Sequence, residues 1–295
     1  MNLSPSQIAT WNRCKRSWLL SYHRQLTRPP VVGAASAGTA MHRLLAEAAG
    51  GEPADLDTWY AEARKARPEQ ALELIGERKG AIASVESAAA EITVMDTGNT
   101  VVATELELDV PIGFTPGGEP VHIYGFADLV LRDASGRLIV RDWKSKTSFR
   151  LPGPMELNGQ LRSYVLALSE LFPGEPLALA EIVMVKRHKG SGRAKGPFTE
   201  QHVVAYNQAT IDAHRWHVLH IAAQIEEAET KLAAGIHPDH IAPPTAGDHC
   251  SFMCSFTSVC PRMDSDPAAA EAMLLADFIP RTSPSTAVTP ETPAA

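Results

Sequence analysis

Two aspartates and one lysine stand on either side of a turn signal in the sequence: Asp128 before it, and Asp142 and Lys144 after it. Carboxylate oxygens are the ligands that hard cations such as Mg²⁺ and Mn²⁺ prefer, and such an ion polarises a phosphate and activates a water. A lysine ammonium can orient that nucleophile or offset the charge that develops on the phosphate. These residue types predict phosphodiester hydrolysis at a metal site, with an ordinary hairpin carrying a surface salt bridge as the alternative.

The elements that must position these residues are two strands and the turn between them. Residues 121–131 and 138–144 are rich in β-branched and aliphatic side chains, and residues 133–136 are turn formers, so a β-hairpin is predicted. Asp142 and Lys144 are two residues apart, which puts them on one face of the second strand. The hairpin would gather the acids and the lysine on one side.

The register of this hairpin decides whether the two aspartates face each other. Pairing of Arg132 with Arg137 would put Asp128 opposite Arg141, whereas a shift of one residue, or a bulge, would bring Asp142 level with it. Convergence of the two acids therefore depends on that shift or bulge.

A helix is predicted over residues 36–47, with Ser36 as its N-cap. Gly38 and His42 are four residues apart and share a face, so the glycine would let another backbone approach close to the histidine. A lone histidine on a helix rich in alanine and leucine is commonly just packed or exposed. On the residues alone, the same is expected of His42.

Two further segments carry polar residues at suggestive spacing. A predicted strand upstream of the hairpin has Glu105 and Glu107 on one face. Residues 154–172 are predicted to be helical, with Gln160 one turn before Tyr164. The apolar stripe of that helix consists of Leu157, Leu161, Tyr164 and Leu168. Tyr164 could therefore belong to the core or, with Gln160, to a functional face.

In chain order these features form five motifs: Gly-x-x-x-His, Glu, Gly-x-x-Asp, Asp-x-Lys and Gln-x-x-x-Tyr. They are carried by Gly38 and His42, Glu105, Gly125 and Asp128, Asp142 and Lys144, and Gln160 and Tyr164. This order resembles the RecB-like branch of the PD-(D/E)xK nucleases over roughly residues 1–261. The resemblance implies an α/β fold with a restriction-endonuclease-like core, in which a central mixed sheet is flanked by helices.

The resemblance also implies a role for each matching residue. The ligands of Mg²⁺ or Mn²⁺ would be His42, Asp128, Asp142 and the carbonyl oxygen of Trp143. Lys144 would be the catalytic lysine. Glu105 would be the upstream glutamate of the family, with Glu107 as a competitor in register. Gln160 and Tyr164 would hold the DNA strand near the scissile phosphate.

The four cysteines give a second, independent argument. Cys250, Cys254 and Cys260 stand within eleven residues and Cys14 is remote, which is a poor arrangement for a set of disulfides. The first residues are polar and no apolar run is long enough to span a membrane, so neither a signal peptide nor a membrane segment is predicted. We therefore expect a reducing, cytoplasmic location, where clustered cysteines more often bind metal.

Four thiolates suit either a zinc ion or an iron–sulfur cluster. One remote cysteine and a C-terminal trio resemble the iron–sulfur branch of the same family, which includes AddB-type recombination nucleases and exonucleases of CRISPR adaptation. The resemblance implies a structural [4Fe–4S] cluster on Cys14, Cys250, Cys254 and Cys260, with zinc as the alternative. The chain departs from the family where Lys15, rather than proline, follows the first cysteine. Its trio is also spaced C-x₃-C-x₅-C instead of C-x₂-C-x₅-C.

The formal net charge of −7 argues against a generic basic DNA-coating protein. It does not exclude DNA binding, because active-site carboxylates contribute to the total and a metal ion counters them. A basic, glycine-containing stretch, residues 186–195, follows a predicted buried strand. Within it Lys186, Arg187 and Lys189 are candidate phosphate contacts, with a solvated hairpin loop as an equal alternative.

The chain has 295 residues, 44% of them hydrophobic, which is enough for a sizeable core. We expect one nuclease domain over residues 1–261, in which the cysteine cluster joins a helical N-terminal segment to a C-terminal iron–sulfur lobe. A further helix is predicted within residues 262–279, and residues 280–295 are predicted to be disordered. A long helix over residues 208–234 carries three histidines, beginning with His214, which we interpret as a polar edge.

The sequence therefore predicts a metal-dependent DNA exonuclease that acts on single strands or free ends, in recombination, repair, phage DNA processing or CRISPR adaptation. No Walker-type GKT or GKS motif is present, so duplex unwinding would need a partner such as a helicase. One alternative is a non-catalytic DNA-binding or assembly subunit with a vestigial nuclease centre, and the intact metal and lysine motifs weigh against it. The other is a site-specific endonuclease on the same fold, against which the first cysteine and the Gln-x-x-x-Tyr motif weigh.

Overall fold

The computed structural model describes residues 1–29, 33–150, 153–189 and 194–281. These residues fall into two compact units, and each is considered by itself. The first unit comprises Met1–Ile8 and Pro30–Gln224, and the second Ala9–Pro29 and Ile225–Ala295, as far as these ranges are described. Among the described residues, no helix is both long and apolar enough to cross a membrane. Of the tail predicted to be disordered, all but residues 280 and 281 lie outside the described residues.

The described part of the chain contains eight strands and eleven α-helices. The strands are β1 (Asn2–Leu3), β2 (Leu26–Thr27), β3 (Thr100–Phe114), β4 (Pro120–Arg132), β5 (Leu138–Lys146), β6 (Leu179–Lys186), β7 (Thr199–Ala205) and β8 (Ile279–Pro280). The helices are α1 (Pro5–Arg13), α2 (Lys15–Trp18), α3 (Ala34–Ala48), α4 (Leu56–Ala66), α5 (Ala71–Met95), α6 (Gly159–Leu171), α7 (Gln208–Ala233), α8 (Pro238–Ile241), α9 (His249–Phe252), α10 (Cys260–Ser265) and α11 (Pro267–Asp277).

A mixed six-stranded sheet forms the centre of the first unit. β5 pairs antiparallel with β4 and parallel with β6, and β7 pairs antiparallel with β6. β3 runs antiparallel along the whole of β4, so β1 and β5 share the other edge of that strand. On this edge β1 pairs at His122 and Ile123, and β5 pairs at residues 129–132. Within the described chain, residues 124–128 of β4 therefore have no strand partner on that edge, and we call this interval the edge gap.

Three helices, α3, α4 and α5, cover one face of the sheet. Alternate strand residues point to this face, among them Leu129 of β4 and Trp143 of β5, and they pack against Met41, Tyr60 and Leu74 of the helices. α6 packs against the same strands from the other face, since its Gln160 meets the Lys144 side chain. The expected α/β fold, with a mixed central sheet flanked by helices, is confirmed.

The second unit is built from the N-terminal segment and the C-terminal part of the chain. β2 and β8 form an antiparallel pair, with Leu26 opposite Pro280 and Thr27 opposite Ile279. The apolar cluster of this unit consists of Leu20, Phe256, Val259, Ala270, Leu274 and Phe278. Residues far apart in sequence thus bury a common apolar core.

The start of α3 differs from the prediction. The helix begins at Ala34 after Gly33, and Ser36 lies inside its first turn rather than at the N-cap. The Ser36 hydroxyl accepts the Gly33 N–H at 3.1 Å, so this side chain reaches back to the residue before the helix. Ser36 thus bonds the Gly33 N–H from the third position of the helix. A serine near a helix start can do this or act as the N-cap, and the residue type alone does not tell which.

The start of α6 also differs. The helix begins at Gly159 rather than Pro154, because the Asn158 side chain accepts the Leu161 N–H at 3.1 Å and caps the helix there. Leu157 consequently precedes the helix, and its residue is 68% exposed rather than part of the apolar stripe. The predicted start at Pro154 was wrong, because the helix begins only after the cap that Asn158 provides.

Candidate active site

The two aspartates meet where β4 and β5 part. Arg132 pairs with Leu138, one residue beyond Arg137, and the ladder ends at the pair Leu129–Arg141. Asp128 is the next residue of β4, so this register brings it level with Asp142. The Trp143 N–H, which has passed the end of the ladder, donates to Asp128 Oδ2 at 2.7 Å. At the edge gap, the Asp128 side chain therefore accepts a backbone N–H of β5 that the ladder no longer pairs.

Asp142 and Lys144 project from the face of β5 opposite to the apolar core, because Trp143 points into that core. The Lys144 Nζ lies 2.6 Å from Asp142 Oδ2. Asp142 is only 2% exposed. Burial raises its pKa to about 6, and the Lys144 ammonium opposes this shift without cancelling it.

His42 reaches the same place from α3. Its Nδ1 lies 3.4 Å from Asp128 Oδ2. Burial lowers the pKa of His42, but the hydrogen bond to Asp128 and the charges of Asp128 and Asp142 outweigh it, so the net effect is a raised pKa. One turn earlier, a Cβ at Gly38 would lie 3.3 Å from the Ser145 hydroxyl of β5. The glycine thus admits a neighbouring side chain, whereas a backbone approach was predicted.

Glu105 of β3 stands opposite Asp128, since its neighbours Thr104 and Leu106 pair with the residues on either side of that aspartate. Its backbone is in the left-handed region, with φ of +47°, which interrupts the regular strand. Although the residue as a whole is exposed, desolvation and then the charge of Asp128 raise the pKa of its carboxyl group to about 7. Glu107 lies opposite Phe126, two residues before Asp128 in β4.

Gln160 and Tyr164 lie next to the lysine and are linked to it by hydrogen bonds. Lys144 Nζ donates to Gln160 Oε1 at 3.3 Å, and Gln160 Nε2 donates to the Tyr164 hydroxyl at 2.8 Å. The Tyr164 hydroxyl in turn donates to the Phe126 carbonyl at 2.8 Å. Tyr164 is 5% exposed, and burial raises its pKa, so the phenol stays protonated and able to donate.

The candidate phosphate contacts lie at the end of β6. Lys186 stands beside Lys146 of β5, and its Nζ donates to the Lys195 carbonyl at 2.8 Å. The Arg187 N–H donates to the Lys146 carbonyl at 2.6 Å, and the Lys189 residue is exposed. The rest of the basic stretch, residues 190–193, lies outside the described residues. These cations therefore stand at the strand end just beyond the lysine of the site, and only part of their loop is described.

The groups that could hold a divalent cation are Glu105, Asp128, Asp142 and His42. The charge of Asp128 contributes to the raised pKa values of Glu105 and Asp142. A bound cation would relieve this repulsion between carboxylates. The buried Oδ2 of Asp142 makes no well-directed hydrogen bond within the described chain. The donor chemistry fits Mg²⁺ or Mn²⁺. In the described residues, however, no three His, Cys, Asp or Glu side chains are drawn together into a coordination sphere.

All four cysteines belong to the second unit and carry free thiols. Thr245 touches two of them: its N–H donates to Cys14 Sγ at 3.4 Å, and its carbonyl accepts from Cys250 Sγ at 4.0 Å. Burial raises the pKa of the Cys260 thiol, and the charges of Cys14 and Cys254 add to the shift. In number and chemistry the thiols suit a thiolate-bound group, but they too are not in ligating geometry.

Arg16 forms an ionic node beside these thiols. Its residue is 2% exposed, and one guanidinium nitrogen lies 2.9 Å from Asp239 and 2.8 Å from Asp264. The other terminal nitrogen donates to the carbonyl oxygen of Cys260 at 3.3 Å and to its Sγ at 3.8 Å. A guanidinium this deeply buried needs such partners. The node ties the segment after Cys14 to the C-terminal part of the second unit.

Sequence reasoning missed two contributors to the site. Arg141 is fully buried behind Asp142, where it pairs with Asp96 and Glu181 and lies 4.8 Å from the Trp143 ring centroid. A charged residue at an inward-facing position of an apolar strand was an available signal for it. The carbonyl of Phe126 carries no sequence signal, because every residue has one.

The mixed sheet flanked by helices is consistent with the comparison of the sequence with known families. The profile of the PD-(D/E)XK nuclease superfamily matches residues 2–261. The chain therefore belongs to the PD-(D/E)XK nuclease superfamily. Among curated proteins, no sequence matches the chain. The crystal structure of SSO0001 is 15% identical, with a TM-score of 0.41, over 88% of this chain and 85% of that one.

Proposed function

We propose that this protein is a divalent-metal-dependent DNA exonuclease that hydrolyses phosphodiester bonds in single strands or at free ends. Its superfamily is one of hydrolytic nucleases. The observation that carries the proposal is the meeting of Asp128 and Asp142 at the edge gap, with Lys144 Nζ 2.6 Å from Asp142. An acid pair with an adjacent ammonium supplies the groups that metal-assisted phosphodiester hydrolysis uses.

When bound, Mg²⁺ or Mn²⁺ would polarise the phosphate and lower the pKa of the attacking water. The residues that would hold the ion are His42, Glu105, Asp128, Asp142 and, through its carbonyl, Trp143. Lys144 would present its ammonium to the nucleophile or to the charge that develops on the phosphate. Lys186, Arg187 and Lys189 would contact phosphates of the strand away from the point of cleavage.

The choice of an exonuclease rests on the RecB-like order of the motifs and on the cysteine that precedes them. Such an enzyme would act in recombination, repair, phage DNA processing or CRISPR adaptation, in a reducing cytoplasm. Because the sequence has no Walker-type motif, it would degrade duplex only from frayed ends or beside a helicase partner.

The test is degradation of end-labelled linear single-stranded DNA with Mn²⁺, comparing the native chain with Asp142→Ala. Cleavage by the native chain that vanishes in the variant is the expected result, and the position of the label gives the polarity. A covalently closed circle of the same strand should resist both proteins, and its cleavage would favour an endonuclease. If neither protein cuts but both bind the strand, the chain is a DNA-binding subunit instead.

We also propose a [4Fe–4S] cluster on Cys14, Cys250, Cys254 and Cys260, with a structural role. Two observations support it: Thr245 contacts Cys14 and Cys250, and the charges of Cys14 and Cys254 act on the Cys260 thiol. The Arg16 node already joins the two parts of the unit, so a cluster would reinforce an existing connection. Its loss is expected to lower stability before it lowers catalysis.

Spectroscopy of anaerobically purified protein tests the cluster. A broad visible absorption that is lost on oxidation is expected, and Cys260→Ala should abolish it while leaving nuclease activity measurable at low temperature. A colourless protein that contains zinc would replace the cluster with a zinc site, and a colourless, metal-free protein would refute both.

A further inference from the structure

The hydrogen bonds around Lys144 form a directed chain. The lysine donates to the Gln160 amide oxygen, the Gln160 amide nitrogen donates to the Tyr164 hydroxyl, and that hydroxyl donates to the Phe126 carbonyl. The ammonium also contacts Asp142 Oδ2 at 2.6 Å. The orientation of the Gln160 amide is nevertheless determined, because an ammonium can only donate and the Tyr164 hydroxyl uses its own proton on the Phe126 carbonyl. The amide oxygen of Gln160 faces the Lys144 ammonium because its amide nitrogen donates to the Tyr164 hydroxyl.

The far end of the chain is anchored to a strand that carries a metal-site residue. The Phe126 carbonyl belongs to the edge gap of β4, two residues before Asp128. Since β5 has already left this edge, the Tyr164 hydroxyl takes up the carbonyl at 2.8 Å. These hydrogen bonds therefore connect β4 to the lysine of β5 through Gln160 and Tyr164 of α6.

The burial of these residues limits what they can touch. The Tyr164 ring is almost fully enclosed in the core, and its hydroxyl is engaged by both Gln160 and Phe126. Gln160 is half-buried, and both polar atoms of its side chain are used: its oxygen accepts from Lys144 and its nitrogen donates to Tyr164. Lys144, by contrast, is half-exposed and carries the mobile four-carbon stem that such a support would immobilise.

We propose that Gln160 and Tyr164 are positioning residues for Lys144: they fix where its ammonium stands, and they act on the reaction through the lysine instead of gripping the DNA strand. Gln160 is the direct support and Tyr164 holds Gln160 in the required orientation. A displacement of about 1 Å in such a group can lower a rate by about 100-fold. This inference rests on the proposed nuclease function.

The experiment compares Tyr164→Phe and Gln160→Leu with the native chain in single-turnover cleavage of end-labelled single-stranded DNA. Tyr164→Phe should lower the rate about 10-fold and Gln160→Leu by more, with the double variant no slower than Gln160→Leu, because the tyrosine acts only through the glutamine. The DNA dissociation constant, measured with Ca²⁺ in place of Mn²⁺, should stay within about 2-fold. Weakened DNA binding, or rate losses that multiply in the double variant, would overturn the proposal.

Tyr206→Phe is the matched control. Tyr206 is similarly buried, and its hydroxyl donates to the Met155 carbonyl at 2.8 Å; among the described residues, no hydrogen bond connects it with Lys144. Its loss should affect folding stability about as much as Tyr164→Phe and leave the cleavage rate unchanged. A parallel slowing of both variants would make the effect one of stability and would overturn the proposal.

A readout without cleavage separates this inference from the proposed function. Acylation of lysines by an amine-reactive ester, followed by peptide mass spectrometry, reports how freely Lys144 is available, with Lys146 as the internal reference. Tyr164→Phe should raise the ratio of Lys144 to Lys146 labelling about 5-fold, which is the fold-change that corresponds to loss of a hydrogen bond worth about 1 kcal/mol. If the native chain fails to cut DNA but this ratio rises, the nuclease proposal fails and the positioning role stands. An unchanged ratio refutes the positioning role.

Discussion

His214 gives a quantitative expectation for how acid destabilises the first unit. It lies on α7, is 5% exposed, and its Nε2 is 2.9 Å from the Ser163 hydroxyl of α6. Ser163 donates its own proton to the Gly159 carbonyl at 2.9 Å, so its oxygen accepts the imidazole N–H. Burial, and after it the positive charges of His217 and Arg162, lower the pKa of His214 to about 4. The predicted polar edge is thus wrong for this histidine, which packs neutral in the interior.

A histidine that is neutral when folded and protonated when unfolded removes stability as the pH falls. The unfolded pKa is about 6.5, so below this pH the unfolded chain binds more protons, and the loss continues until the pH reaches the folded value near 4. Each pH unit well inside this window costs about 1.4 kcal/mol. Integrated between about pH 7 and about pH 5, this one side chain removes about 2 kcal/mol from the free energy of unfolding.

Urea unfolding followed by circular dichroism measures this loss in the native chain and in His214→Gln, which keeps an N–H donor for Ser163 but cannot titrate. Between about pH 7 and about pH 5 the native chain should lose about 2 kcal/mol more than the variant, because all other titrating groups are common to both. His220→Gln, an exposed change on the same helix, should behave like the native chain. Equal losses in the native chain and His214→Gln would refute the assignment of a buried neutral imidazole.

Two further changes test the stability of the scaffold. Arg141→Met should lower the free energy of unfolding by about 3–5 kcal/mol, because Glu181 would keep a buried charge without its partner. Arg132→Met, which removes a more exposed pair with Glu175, should cost far less than Arg141→Met, and similar losses in the two variants would contradict this view of the buried pair. Asn158→Ala should cost about 1 kcal/mol in thermal unfolding through loss of the α6 cap, whereas an unchanged melting temperature would show that the cap is not needed.

The sequence predicted the hairpin but could not fix its register, and the turn explains why. The Asp133 side chain accepts the N–H groups of Ser135 and Arg137, at 2.8 and 3.0 Å. This closes the turn around Arg137, so the first ladder pair in the structure is Arg132 with Leu138. The alternation of residue types in the strands is compatible with either register, and a local side-chain bond chooses between them.

Other features of the site depend on contacts that sequence patterns do not encode. Glutamate has no special preference for the left-handed backbone, so the φ of +47° at Glu105 is a consequence of the fold around it. Tyr164 was predicted to be either core or functional. The structure makes it both, with its ring in the core and its hydroxyl bonded to Gln160 and to a carbonyl of β4. Periodicity locates such a residue on a helix face, but the partner of its hydroxyl comes from a different strand.

The charge balance of the site is compatible with the proposed action of an acidic chain on a polyanion. Burial, together with the charge of Asp128, raises the pKa of both Glu105 and Asp142. A divalent ion bound there would replace the protons of these carboxyl groups, so that metal binding and protonation compete for the same oxygens. With such an ion in place, the carboxylates would no longer repel a phosphate, and the Lys144 ammonium would be left to attract it. The formal charge of −7 therefore counts carboxylates that, in the metal-bound enzyme, would attract DNA through their ion instead of repelling it.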